Sequence, residues 1–125
     1  ALKAMSGMPM IQFGLISMLE LMGDKVFKIE TIVEKMCHAP AQIYRIKERG
    51  YIREGYHADL VLVRPADDWE WVVTADDVLS KCGWSPLEDF AFNWKVEKTF
   101  ANGHLIYSDG VVDESYRGEE LRFND

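Results

Sequence analysis

Gly50-Tyr-Ile-Arg-Glu-Gly-Tyr-His-Ala-Asp-Leu-Val-Leu-Val-Arg-Pro65 is the stretch on which the chain turns. It reads as a strand, a tight turn and a second strand. Gly55 can take φ > 0 and close the turn. Leu60-Val61-Leu62-Val63 is an unbroken apolar run, the pattern of a strand buried on both faces. Pro65 cannot donate to a ladder and ends it. Before this stretch the apolar period is helical, and after it the signals are those of strands and turns.

Upstream, Ser6-Gly7-Met8-Pro9 is a loop signature. From Ile11 to Met22 the apolar residues cover more than one helical face, so a heavily buried helix is expected, stopped by Gly23-Asp24. Ile29, Ile32, Val33, Met36 and Cys37 fall at i, i+3, i+4, i+7 and i+8, an amphipathic helix. Cys37 then faces the core and His38 the surface, because neighbouring helical residues point about 100° apart. Pro40 suits the first turn of a new, short helix after a break.

Downstream, Ala66-Asp67-Asp68 reads as an exposed turn. Trp69, Trp71 and Val73 alternate as one face of a strand, and Thr74-x-x-Asp77 can cap a helical turn. Ser80 to Asp89 reads as loop. Asn102-Gly103 between two strand-like runs is a strong hairpin signal, and Asp109-Gly110 a second turn. The four tryptophans, Trp69, Trp71, Trp84 and Trp94, are expected in the β core and its rim. In the polar tail Leu121 and Phe123 are the expected anchors.

The composition bounds the partners. The chain has 125 residues, a 48% hydrophobic fraction and a formal net charge of −7. One domain with a real core is the ordinary outcome at this size. The acidic balance argues against nucleic acid and anionic membranes. Two cysteines give no disulfide framework and fit reduced thiols in the cytoplasm. The apolar stretch from Met8 to Met22 is interrupted by Gln12, Ser17 and Glu20, so no membrane span is expected. No G-x-S-x-G elbow and no glycine-rich phosphate loop is present.

Several segments carry a resemblance. "G-x-I-x-x-G-x-x-A-D-L-V-L" from Gly50 to Leu62 resembles the place where metal-dependent amidohydrolases leave a (β/α)8 barrel for a small β-sandwich. His57 stands where that family often has Asp. His38-Ala39-Pro40-Ala41 is similar to the family's H-N-P-A, with Ala39 in place of Asn. Val96 to Gly110 resembles its closing hairpin. "S-K-C-G-W-S-P-L-E", Ser80 to Glu88, resembles a segment of dihydroorotases, and no simple local rule accounts for its residues. Gly118 to Phe123 is similar to the tail of those enzymes, and Ser6 to Gln12 to the loop just after their catalytic Asp.

The resemblance implies an α+β fragment. Residues 1–45 are the last helices of the barrel, and residues 46–125 the C-terminal share of the β-sandwich. It implies a parent that interconverts dihydroorotate and carbamoyl-aspartate with zinc at the barrel mouth. It places Ser6 and Gly7 at one edge of the substrate loop. No catalytic residue and no metal ligand is expected in this chain: there is no H-x-H, and His38, His57 and His104 lie in three separate segments. The chain alone is therefore expected to be inactive and to bind no zinc. Its partners are the rest of the parent, the small-molecule substrate, and further copies in a homo-oligomer. A hydantoinase or allantoinase, and a non-catalytic homologue serving as a binding or assembly module, remain the alternatives.

Overall fold

The computed structural model describes residues 7–66 and 71–124. Ser6, Asp67, Asp68 and Trp69 lie outside the described residues, so the turn and the strand start expected there are not described. A short 3-10 turn, Ile11–Phe13, leads into helix α1, Gly14–Gly23. Helix α2, Ile29–Val33, runs through a π-helical turn, Glu34–His38, into α3, Ala39–Ile43. The expected break before Pro40 is thus a π-turn. Pro40 has no N–H to give to the preceding turn, and the Ala39 amide reaches back to the Glu34 carbonyl instead.

Both outer helix ends carry the same device. Val26 N donates to Leu21 O at 2.8 Å and Lys25 N to Met22 O at 2.9 Å, with Lys25 at φ 62°. At α3, Ile46 N donates to Ala41 O at 2.8 Å and Arg45 N to Gln42 O at 3.1 Å, with Arg45 at φ 53°. These are Schellman stops with a basic residue in the position glycine usually takes. Helix α1 stops at Gly23-Asp24 as expected, but the left-handed residue that closes it is Lys25 and not the glycine. Gly23 is still helical and lies against Trp94.

The strands are antiparallel. Strands β1 (Leu60–Pro65), β4 (Trp94–Ala101), β5 (His104–Ser108) and β6 (Val111–Val112) form one sheet in the order β1-β4-β5-β6. Strands β2 (Trp71–Val72) and β3 (Ala91–Phe92) form a second ladder, Trp71 opposite Phe92. The Asn102-Gly103 turn forms as expected, with φ 50° and 81° and Ala101 paired to His104. So does Asp109-Gly110, with φ 44° and 91° and Ser108 paired to Val111. Gly55 takes φ 81°, and Tyr56 N closes the turn on Arg53 O at 3.1 Å.

Two expectations in the opening stretch are corrected. Gly50 to Arg53 is loop, not strand. Strand β1 is not covered on both faces: Val61 is 45% and Leu62 44% exposed. It is an edge strand, and a bulge between Leu62 and Val63 shifts its register on β4.

The core joins the helices to the strands. Phe13 and Ile16 pack with Val73 and Phe92, flanked by Trp71, Leu87 and Val96. The Phe13 and Phe92 rings stack at 6.4 Å with 6° between their planes. Glu20 of α1 accepts from Asn93 N and, at 3.1 Å, from Asn93 Nδ2, fixing α1 to the β3–β4 corner. Of the α1 segment Phe13, Ile16 and Leu19 are buried, while Ile11 is fully exposed. On the next helix only Ile32 is buried, and Ile29, Val33 and Met36 lie exposed. Cys37 is exposed, not core, because the amphipathic face it belongs to has no cover here. Leu121 and Phe123 are exposed as well. The tail is held by its backbone: Lys47 N donates to Arg122 O and Asn124 N to Arg45 O, both at 2.8 Å.

Candidate functional site

Gly7 is exposed, and a Cβ built on it would meet nothing within 4 Å. Ser6, its expected companion, lies outside the described residues. Just beyond, Gln12 ties the start of the helical segment to a distant turn. Its Nε2 donates to Asp77 O at 2.6 Å and its Oε1 accepts from Leu79 N at 2.9 Å. That turn, Ala75–Asp77, carries the expected capping box, with Asp77 Oδ2 2.8 Å from both Thr74 N and Thr74 Oγ1.

The histidines do not converge. His38 stacks on Tyr51 with 4.2 Å between ring centroids, and its Nδ1 lies 3.4 Å from Glu34 Oε2. His38 thereby joins the helix to the loop after it. His57 holds the chain by its backbone, its N donating to Glu48 O at 3.0 Å. His104 starts β5 and stacks on Tyr116 at 4.3 Å. Among the described residues no group of three or more His, Cys, Asp or Glu could hold a metal ion. The described residues do not fit a zinc centre.

A cleft of about 310 Å³ opens between α3, the following loop and the tail, lined among others by Gln42, Arg45, Arg49, Tyr51, Tyr56 and Asn124. Of its polar side chains, Gln42, Tyr51 and Arg49 are already engaged. Gln42 Nε2 donates to Tyr51 OH at 2.5 Å, and Arg53 stacks over the Tyr51 ring at 4.3 Å. Arg49 is ion-paired to Asp59. Asp59 Oδ1 also accepts from Asn102 N at 2.8 Å. Burial pushes the Asp59 carboxyl up, but the Asn102 amide, Arg49 and His57 outweigh it and hold it below the usual carboxylate range. The cleft offers no free nucleophile and base in contact. The sequence gives no signal for it, because it depends on left-handed turns at Arg45 and Glu48 (φ 53° and 56°).

Part of the Ser80–Glu88 segment obeys a local rule. Ser85 N donates to Glu88 Oε1 at 2.9 Å and Leu87 N to Ser85 Oγ at 3.2 Å, side-chain bonds like those of a helix cap that close a turn around Pro86. Ser85 is buried, and Cys82 Sγ lies 3.5 Å from Trp84 O. These residues shape a loop.

Residues 3–106 match the amidohydrolase family, and the chain belongs to that family. Among named relatives, the dihydroorotase of Pyrococcus abyssi is 30% identical over 119 residues, 95% of this chain and 29% of that protein. The dihydroorotase of Sulfurihydrogenibium sp. is 35% identical over 103 residues, 82% of this chain and 24% of that protein. The allantoinase of Bacillus velezensis is 30% identical over 104 residues, 83% of this chain and 22% of that protein. The chain thus spans less than a third of the length of these relatives. No helix among the described residues is long and apolar enough to cross a membrane.

Proposed function

We propose that this chain is the C-terminal share of a dihydroorotase. Residues 1–45 supply the last helices of its (β/α)8 barrel, and residues 46–125 its share of a β-sandwich. The parent opens and closes the cyclic amide of dihydroorotate to and from carbamoyl-aspartate, in the cytoplasm and as a homo-oligomer. The observation that carries this is the similarity to a dihydroorotase along 95% of the chain, through helices and strands alike. Zinc belongs to the parent, and its ligands come from the length that this chain does not span. Here the described residues are scaffold, with Ser6 and Gly7 at the edge of the substrate loop. The chain alone is inactive.

A second reading, an allantoinase, has the support of relatives such as that of Bacillus velezensis. The side-chain-closed turn at Ser85–Glu88 gives part of that segment a purely structural reason, which lessens its weight in favour of dihydroorotase. The parent protein, purified whole, should be assayed for carbamoyl-aspartate cyclisation and for allantoin hydrolysis. Activity in the first alone is expected. Activity in the second alone selects the allantoinase, and activity in neither selects a non-catalytic homologue.

A further inference from the structure

The hairpin tip Asn102-Gly103 carries a reaction of its own. Gly103 has no side chain, so its backbone nitrogen can come close to the side-chain carbonyl carbon of Asn102. Attack forms a bond from the Gly103 nitrogen to Asn102 Cγ and breaks the bond from Cγ to Nδ2. Ammonia leaves and a succinimide ring remains. Water then opens the ring at either carbonyl, giving aspartate or isoaspartate at position 102. The net change consumes one water and releases one ammonia, with no oxidant or reductant.

At this turn each participant is restrained. The nucleophile is engaged, since Gly103 N donates to Ala58 O at 3.0 Å. The leaving group is held, since Asn102 Nδ2 donates to Tyr116 OH at 2.8 Å. Negative charge would build on Asn102 Oδ1, which is buried and finds no hydrogen-bond partner among the described residues. An oxyanion there has no donor to stabilise it. On the other side of the reacting carbon, Asn102 N donates to Asp59 Oδ1 at 2.8 Å. Tyr116 is itself backed by the stacked ring of His104.

We infer that Asn102 is a spontaneous deamidation site which the fold holds closed, with Tyr116 as the lock and water as the co-reactant. The rate is set by opening of the hairpin tip. Its products have structural consequences. An aspartate at 102 sets a second carboxylate on the residue whose amide Asp59 binds. An isoaspartate adds a backbone carbon to a two-residue turn and disturbs the pairing of Ala101 with His104. This inference does not depend on the enzymatic reading of the parent.

The test follows position 102 over time by peptide mapping and mass spectrometry, in the native protein and in denaturant at the same pH. Gly103 amide exchange is measured on the native sample. The native rate is expected to be about tenfold or more below the denatured rate, as for chemistry that needs local opening. Tyr116→Phe is expected to raise the native rate about fivefold, the effect of losing one neutral hydrogen bond on an opening equilibrium. Equal native and denatured rates overturn the inference, and so does an unprotected Gly103 amide. An unchanged rate in Tyr116→Phe removes the lock. A slower one makes Tyr116 a proton donor to the departing nitrogen, the opposite role. If Tyr116→Phe loses protection at Thr99 in β4, Asp59→Ala, which frees the Asn102 amide instead, is read in its place. It too must deamidate faster than the native protein, and an unchanged rate overturns the inference.

Discussion

A Cβ on Gly50 would stand 2.5 Å from the Cβ of Ala41 and 2.8 Å from the carbonyl oxygen of Cys37. Gly50 also sits at φ 81°. The loop leaving α3 therefore packs back on the π-turn by bare backbone, and both geometry and space select glycine. Gly50→Ala is expected to cost roughly 2–4 kcal/mol, combining left-handed strain with overpacking against a main-chain carbonyl. A denaturant titration reads it, and a variant as stable as the parent would sink this account of the loop.

Gly103→Val tests the hairpin. Gly103 has open space around it but sits at φ 81°, so strain and not collision is the cost. A β-branched residue there should lower stability by about 1 kcal/mol or more. Unchanged melting would mean that the turn does not hold the register Ala101 to His104.

Asp59 gives the fold a pH dependence of known sign. Its folded value lies below the usual 3.8, so it stabilises the fold when ionised. That contribution is complete above the unfolded carboxylate value and is lost as pH falls through the lower folded one. The Asp59 side chain is 38% exposed, so solvent screens the pair and the effect is small. Unfolding midpoints of the parent and of Asp59→Asn should converge as pH drops below about 4. Curves that stay parallel would rule out the Asp59 clamp as their cause.

The uncovered stripe Ile29, Val33 and Met36 predicts association. Burying a large apolar side chain contributes about 1.5–3 kcal/mol, so three left in water favour a partner. At micromolar concentration the isolated chain is expected to sediment as more than a 14.4 kDa monomer. Val33→Lys with Met36→Lys should return it to that mass. An isolated, unsubstituted chain that sediments as a monomer would count against the stripe as a contact surface.

Metal analysis checks the roles given to the histidines. After zinc addition and dialysis the isolated chain is expected to retain no stoichiometric metal. One tightly held zinc per chain would contradict the stacking roles of His38 on Tyr51 and His104 on Tyr116.

Local chemistry made part of this fold legible. Asn102-Gly103, Asp109-Gly110, Gly55 and Thr74-x-x-Asp77 behave as their residue types require, because each is decided within a few residues. Ser85-x-x-Glu88 likewise has the spacing of a capping box, and its side chains close a local turn. What is not legible depends on contacts far along the chain. Lys25 and Arg45 take the left-handed stop that glycine would advertise. Leu60 to Val63 has the pattern of a covered strand but forms an edge, because cover is a property of neighbours and not of the strand. For the site, Ser6 and Gly7 follow only from resemblance, while the cleft at Arg45 and Arg49 follows from no motif at all.

The bridge between Ile46 and Phe123 fixes how this molecule bears load. The tail joins the chain just after α3 through two backbone bonds, Lys47 N to Arg122 O and Asn124 N to Arg45 O. Leu121 and Phe123 lie exposed, so the next anchor back along the tail is Tyr116, bonded to Asn102 Nδ2. A pull applied at Asn124 peels those bonds first and leaves the β4–β5 ladder untouched. One of these bonds, Asn124 N to Arg45 O, fastens the tail to the very residue that stops α3. Strain entering at one end of the strand-rich part is thus delivered to the end of the helical part, and the tail acts as a mechanical fuse between them.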